Sequence, residues 1–280
     1  MPTIAEKRRA FRQLHESGCF IIPNPWDAGT ARYLQQLGFH ALATTSSGAA
    51  WSMACPDEDW AVTRDPMLAH IRMIVEASDL PVNADFESGY ADDPDGIAEN
   101  VRLCVQTGVA GLSIEDSTGN ASRPLYEFDL AVARIRAARR AIDRAGDDVL
   151  LVGRSEGFIA GAPDLDETIR RLKAYSGAGA DCLYAPGIRT REQIAAVVEA
   201  VAPKPVNLLI GSPMGLALQD AAALGVRRIS VGGALARAAW GGFMRAAKGL
   251  TAGTFDAFAE AASGSELNRL FTDDVKRRRQ

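Results

Sequence analysis

Apolar positions along the chain gather into eight short runs, separated by polar loops and by longer segments with helical periodicity. The runs are CFII (19–22), ALAT (41–44), VNAD (82–85), GLSIE (111–115), LLVGR (150–154), CLYA (182–185), VNLLI (206–210) and RISVGG (228–233). Each has the length and aliphatic character of a strand buried on both faces. In 64–77, Met67, Leu68, Ile71, Ile74 and Val75 recur at helical spacing, with Arg72 and Glu76 turned away. The segment 127–145 is rich in Ala and Arg, both strong helix formers. The dipeptides LG (37–38), TG (107–108), AG (178–179) and LG (224–225) precede strands, where Gly can close a helix in the left-handed conformation. Strand and helix in alternation, joined by right-handed crossovers, make a parallel sheet, and eight such units point to a closed (β/α)8 barrel of the TIM type. A doubly wound sheet would carry a Gly-rich loop after its first strand; here the sequence is PNPWD. The expected fold is therefore α/β, one barrel domain across residues 1–280. Helical stretches at 234–249 and 254–262 exceed the eighth unit. Residues 234–280 are thus expected to form a C-terminal helical extension that packs against something else, such as another subunit.

Composition narrows the picture. Hydrophobic residues make up 47% of the 280 positions and charged residues 24%, which excludes a disordered chain, a collagen or a coiled coil. Thirty-five acids against 31 bases give a net charge of −4, so no basic excess supports a nucleic-acid or anionic-membrane partner. The basic cluster Lys276, Arg277, Arg278, Arg279 reads as a solvated tail. No apolar run reaches the roughly 18 residues of a membrane helix, and the start, MPTIAEKRRAFRQL, is charged and amphipathic, unlike a signal peptide. Cys19, Cys55, Cys104 and Cys182 are scattered with no CxxC pair, which fits a reducing cytoplasm.

In a barrel of this kind the chemistry belongs at the C-terminal ends of the strands. Strand 2 ends in Thr44, Thr45, Ser46, Ser47, Gly48, and its loop carries Cys55, Pro56, Asp57, Glu58, Asp59. Strand 3 ends in Asp85, Phe86, Glu87, Ser88, Gly89, Tyr90; strand 4 in Glu115, Asp116; strand 5 in Arg154, Ser155, Glu156. Strand 7 contributes Asn207. Carboxylates thus converge from neighbouring loops, and like charges in one cavity must be neutralised. With oxygen ligands only, Mg²⁺ or Mn²⁺ is the natural partner; helix capping or pairing with Arg154 is the alternative. Small hydroxyl residues and a Gly at 45–48 can leave backbone N–H groups free for an anion, or simply lead into a helix cap. None of the five lysines ends a strand, which disfavours a Schiff-base mechanism. His15, His40 and His70 fall away from the mouth and read as surface or packing residues, and Cys55 reads as a small hydrophobe.

These strand-end residues carry a resemblance. The stretches NPWDAGTARYLQQLGFHALATTSSGAAWSMACPDE, LPVNADFESGY, GVAGLSIEDS, LLVGRSEGF and AGADCLYAPG, in that order, resemble the isocitrate lyase/phosphoenolpyruvate mutase superfamily over roughly residues 20–245. The resemblance implies a barrel whose last helix is swapped between subunits, in a homotetramer (dimer of dimers) or homodimer. It implies Mg²⁺ held directly by Asp85 and largely through water by Asp57, Glu87 and Glu115. Thr45, Ser46 and Ser47 would hold the carboxylate of a small-molecule 2-oxo acid, with Asp85, Arg154 and Asn207 also in the substrate site. Arg154, Asp57 and Glu115 would serve catalysis. The superfamily's Asp-x-Asp-x-Gly-Tyr-Gly segment reads Asp85-Phe86-Glu87-Ser88-Gly89-Tyr90-Ala91 here, a longer second acid that suits a water-mediated role. The implied activity is a Mg²⁺-dependent lyase that cleaves a C–C bond in a small 2-oxo (di)carboxylic acid through a metal-stabilised enolate. One departure matters. The Lys-x-Cys-Gly/Ser-His type loop of the isocitrate lyases after strand 4 is replaced by Ser117–Tyr126, without cysteine, histidine or lysine. A C–P bond hydrolase or phosphonomutase, or a barrel that binds 2-oxo acids without turning them over, therefore remain alternatives, with Tyr90 and Glu156 as candidate general acids.

Overall fold

All eight runs become strands in the computed structural model, which describes residues 2–58, 60–146 and 148–278. Asp59 of the acidic loop and Arg279 of the basic tail lie outside those residues. The strands are β1 (Phe20–Ile22), β2 (Leu42–Ala43), β3 (Val82–Asp85), β4 (Gly111–Glu115), β5 (Leu150–Arg154), β6 (Cys182–Tyr184), β7 (Val206–Leu209) and β8 (Arg228–Ser230). Helices α1 (Ile4–Leu14), α2 (Ala28–Gln36), α3 (Ser46–Ser52), α4 (Arg64–Ala77), α5 (Pro94–Val105) and α6 (Phe128–Ala145) occupy the first half. Helices α7 (Leu165–Gly177), α8 (Arg191–Val201), α9 (Leu218–Ala223), α10 (Ala234–Thr251) and α11 (Gly264–Arg278) follow.

The strands form one parallel sheet in the order β1-β8-β7-β6-β5-β4-β3-β2. At the β1/β2 seam, Ala43 N–H donates to Pro23 O (3.0 Å) and the Asn24 Nδ2 amide donates to Thr44 O (2.8 Å), bringing the ends together as a (β/α)8 barrel. Outward-facing strand residues such as Leu42, Ala84, Leu112, Ile114 and Leu151 are buried under the helices, joining Ile71, Ile74, Val101, Ile135, Leu172 and Val197 in one core. The floor is closed by α1, whose Thr3 capping box fixes its start. Phe11 on α1 is fully buried against Ile22, Ala43, Ala110 and Leu150, a contribution of roughly 2–3 kcal/mol for one aromatic ring. Gly111 makes room for that plug: a Cβ there would stand 2.7 Å from the Phe11 ring and 2.8 Å from Asn83 Oδ1.

Two departures from the sequence reading lie in the C-terminal segment. The stretch expected at 254–262 is a short 3-10 turn, Asp256–Glu260. The basic run forms the last turn of α11: Lys276 and Arg277 are exposed as expected of a solvated tail, while Arg278 departs from it, donating to Ala77 O (2.8 Å) and approaching Asp79 and Asp274. Helix α10 runs on from β8 with Ala236 alone buried among its residues, leaving Trp240, Phe243 and Met244 exposed.

Candidate active site

Parallel register determines which side chains meet at the mouth. Glu115 and Arg154 are register partners on β4 and β5, Arg154 pairs with Tyr184 on β6, Tyr184 with Asn207 on β7, and Asn207 with Arg228 on β8. Because barrel strands tilt, this row descends from the last residue of β5 to the first residue of β8, from rim toward floor. It lines two adjoining cavities. The outer one, about 440 Å³, is bordered by Asp57, Glu58, Glu87, Glu115, Arg154 and Glu156, with Ser117, Gly119 and Ile159 on its far side. The inner one, about 200 Å³, is bordered by Thr45, Ser46, Ser47, Asp85, Arg154, Tyr184, Asn207 and Arg228. Ser46, Asp57, Arg154 and Ile159 belong to both.

At the centre is the Arg154 guanidinium. Its Nη1 lies 3.1 Å from Asp85 Oδ1 and 3.1 Å from Glu115 Oε2, while Nε and Nη2 form a two-pronged pair with Glu156. Three carboxylates therefore share one cation, which leaves an excess of negative charge. Desolvation, then repulsion from Glu156, Asp85 and Glu87, drives the Glu115 carboxyl well above its usual range, although Arg154 pulls it down. Burial likewise raises Glu156. Glu87 is pushed up to about 7, first by burial and further by Asp85 and Asp57, against a 2.6 Å hydrogen bond from the Tyr90 hydroxyl. Asp57 sits on the rim and is raised by desolvation and by Asp85.

The β3 loop aims its acid by local geometry. Glu87, Gly89 and Tyr90 all have positive φ (46°, 83° and 57°), so the chain curls tightly. Trp60 Nε1 holds Ser88 Oγ at 2.9 Å, and Arg134, buried on α6 and stacked on Tyr126, donates to the carbonyls of Ser88, Ala91 and Asp92. The segment after β2 starts α3, where Thr45 Oγ1 caps Gly48 N–H (3.3 Å) and meets Ser47 Oγ (2.9 Å). Ser46 N–H donates to Asp85 Oδ2 (3.0 Å), and Asp85 N–H to Thr44 Oγ1 (2.9 Å). The hydroxyl run and the strand-3 acid are thus one hydrogen-bonded unit. Asp116 points away from the mouth. It accepts from Glu156 N–H (2.7 Å), the Tyr175 hydroxyl (2.6 Å) and Arg171 (3.2 Å), anchoring the loop after β5.

Each residue singled out from sequence for the site, Thr45, Ser46, Ser47, Asp57, Asp85, Glu87, Glu115, Arg154 and Asn207, borders one or both cavities. Arg228 and Arg134 escaped that reading. An arginine opening a strand or inside an Arg-rich helix carries no local sign of burial; only its distant partners reveal it.

The donor set suits a hard divalent cation. Among the described residues no three acids stand close enough to cage an ion alone. Yet Asp57, Glu87 and Glu115 border the outer cavity and Asp57 and Asp85 the adjoining inner one, with hard oxygens only, and Asp57, Glu87 and Glu115 are already driven up in part by neighbouring carboxylates. A hydrated Mg²⁺ that takes one or two carboxylates directly and reaches the rest through water meets these requirements.

A TIM-type barrel with an acid-ringed mouth defines the class, and sequence comparison places the chain within it. Residues 11–251 match the phosphoenolpyruvate phosphomutase family, and the chain belongs to that family, within the phosphoenolpyruvate mutase/isocitrate lyase superfamily of lyases and mutases. A crystal structure from Burkholderia cenocepacia J2315, provisionally described as a lyase/mutase, is 51% identical and superposes with a TM-score of 0.91 over 96% of both chains. The oxaloacetate decarboxylase of Bradyrhizobium diazoefficiens is 31% identical over 88% of each chain. A phosphonopyruvate hydrolase solved with oxalate and Mg²⁺ is 27% identical, with a TM-score of 0.84 over 97% of this chain and 96% of the other.

Proposed function

We propose that the protein is a Mg²⁺-dependent lyase that cleaves the bond to C3 of a small 2-oxo dicarboxylic acid, releasing a pyruvate-like fragment. The observation that carries this reading is the junction of two cavities at Arg154: a small hydroxyl-lined pocket below and an acid-lined, open chamber above. The inner pocket receives the 2-oxo carboxylate beside Thr45, Ser46 and Ser47, and the departing group extends into the outer chamber. Asp85 would hold the metal directly, with Asp57, Glu87 and Glu115 reaching it through water. When bound, the metal supplies Lewis-acid polarisation of the 2-oxo group. Arg154 orients the substrate and opposes the negative charge that builds on its oxygen.

The loop after β4 supports decarboxylation or retro-aldol cleavage over more demanding chemistry. It closes on itself through the Ser117–Leu125 bridge and Thr118 N–H to Pro124 O (3.0 Å), and brings no cysteine, histidine or lysine to the mouth. Loss of CO₂ from such an acid needs no protein base; the bond electrons pass to the 2-oxo oxygen, and C3 then takes a proton from water admitted by the outer chamber. The likeness to oxaloacetate decarboxylases supports this choice. The likeness to a phosphonopyruvate hydrolase supports C–P cleavage as the second reading. The test is pyruvate release from oxaloacetate, from 4-hydroxy- and 4-carboxy-2-oxo acids, and from phosphonopyruvate, with and without Mg²⁺. Pyruvate from phosphonopyruvate alone would transfer the assignment to C–P chemistry; release from none would remove the lyase reading.

A second copy of the chain completes the fold in this reading. An apolar groove of about 370 Å³ runs over Ile21, Pro23, Trp26, Tyr33, Leu34 and Leu235 beside β1, where an eighth barrel helix belongs. The chain's own α10 instead exposes Trp240, Phe243 and Met244. A partner's α10 seated there would give a helix-swapped dimer or a dimer of dimers, read out as mass by analytical ultracentrifugation. The four free cysteines support a cytoplasmic setting, and among the described residues no helix is long and apolar enough to cross a membrane.

A further inference from the structure

We propose that Arg228 is a specificity-determining residue of the inner cavity, a buried cation with only neutral partners whose charge holds the carboxylate end of the substrate. This rests on the reading of the inner cavity as the carboxylate pocket and adds a recognition group to it.

Arg228 opens β8, is 3% exposed and borders the inner cavity. Its Nε donates to Asn207 Oδ1 (2.8 Å); its Nη1 lies 3.3 Å from Asn83 Oδ1 and 3.4 Å from His15 Nε2. None of these partners carries charge. The two amides are neutral by nature. His15 Nδ1 donates to Phe11 O (2.8 Å), which leaves Nε2 as the acceptor for Arg228. Burial and then the Arg228 charge hold that imidazole down to about 3, so it stays neutral at working pH. Among the described residues no carboxylate lies within ion-pair distance of Arg228. Asp85, in the same cavity, is taken up by Arg154 and by Ser46 N–H.

A buried ion without a counter-ion is costly, and cores usually avoid it. Here the cost is met by hydrogen bonds alone, and the net positive charge is left facing a cavity. The register explains the placement. Arg154 at the rim and Arg228 near the floor stand on one descending row, with Tyr184 and Asn207 between them. Arg154 is neutralised by three acids, so the uncompensated charge of the row sits at its lower end. A space of about 200 Å³ has room for a whole small 2-oxo acid, with its carboxylate end against Arg228. The class of ligand favoured is a monoanionic carboxyl end, over an amide, ester or alcohol of the same shape.

The test is isothermal titration with oxalate in excess Mg²⁺ on the wild type and on Arg228→Gln and Arg228→Lys, together with KM and kcat for whichever 2-oxo acid the wild type turns over. Arg228→Gln should weaken oxalate roughly 10- to 100-fold, the scale of one buried charge partner, and raise KM to match with kcat nearly unchanged. Arg228→Lys should recover most of the affinity. If Arg228→Gln fails to fold, Arg228→Met carries the same measurement. A folded neutral variant that binds oxalate as tightly as the wild type, with only its melting temperature lowered, would show that the guanidinium merely ties the core together and would overturn the proposal. A wild-type chain that neither binds oxalate nor turns over any 2-oxo acid would instead remove the carboxylate-pocket reading itself.

Discussion

Replacing Arg154 with Met tests the electrostatics of the mouth directly. The substitution keeps most of the apolar stem and deletes the one cation shared by Asp85, Glu115 and Glu156, whose side chains are 19%, 15% and 4% exposed. Removing one partner of a buried pair costs about 3–5 kcal/mol, because the carboxylates left behind have lost their compensation. A domain of this size loses about 2–4 °C of melting temperature per kcal/mol, so the expected drop at pH 8 is about 6–20 °C. The pH dependence has a definite sign. Glu115 and Glu156 are already raised in the folded state, and both lose the charge that was pulling them down. A carboxyl with a raised folded pKa binds more protons folded than unfolded. Its penalty is absent below the unfolded value of about 4.3 and grows as pH rises toward the folded value. The variant should therefore lie close to wild type at pH 5 and diverge steadily toward pH 8. Adding Glu115→Gln to Arg154→Met should recover part of the loss at pH 8 and little at pH 5. Differential scanning calorimetry across pH 5–8 makes the measurement. A loss equal at all pH values, or a melting temperature within about 2 °C of wild type at pH 8, would refute the charge-sharing argument.

Other outcomes follow from the same geometry. Asp85→Ala should abolish Mg²⁺-dependent turnover and the stabilisation of the fold by added Mg²⁺, both read on one sample by activity and by thermal shift; an unchanged Mg²⁺ response would remove Asp85 as the direct ligand. Thr45→Val deletes the cap on Gly48 N–H and the Ser47 contact; a loss of about 1 kcal/mol and weaker oxalate binding are expected, and undiminished oxalate affinity would argue against the anion pocket. Asp116→Asn strips the charge that gathers Glu156 N–H, Tyr175 and Arg171; urea unfolding should show a loss of about 3–5 kcal/mol, and a loss below about 1 kcal/mol would mean that the cluster is replaceable.

Much of the barrel was legible in the chain because its signals are local. Strand runs such as 82–85, 111–115 and 150–154 coincide with β3, β4 and β5, and the apolar stripe of 64–77 is α4. Both are set by which neighbours must be buried together, a property of spacing alone. The candidate site was legible for a related reason: once eight units close, every strand end shares one rim, so Asp85, Glu115 and Arg154 need no further information to be brought near each other. The C-terminal segment was less legible. Its apolar residues are only partly covered by their own chain, so periodicity there cannot say what they face.

Tertiary structure alone decided the charges inside. Arg228 meets Asn83 across 145 positions and His15 across 213, and Arg134 reaches loop carbonyls more than 40 residues away. In sequence an arginine reads as solvent-facing, since desolvating it without partners is prohibitive. Those partners come from elements that have no proximity until the barrel closes. The chain therefore specifies where its acids gather, while the balance of charge among them, and the cation left over beneath, exists only in the folded molecule.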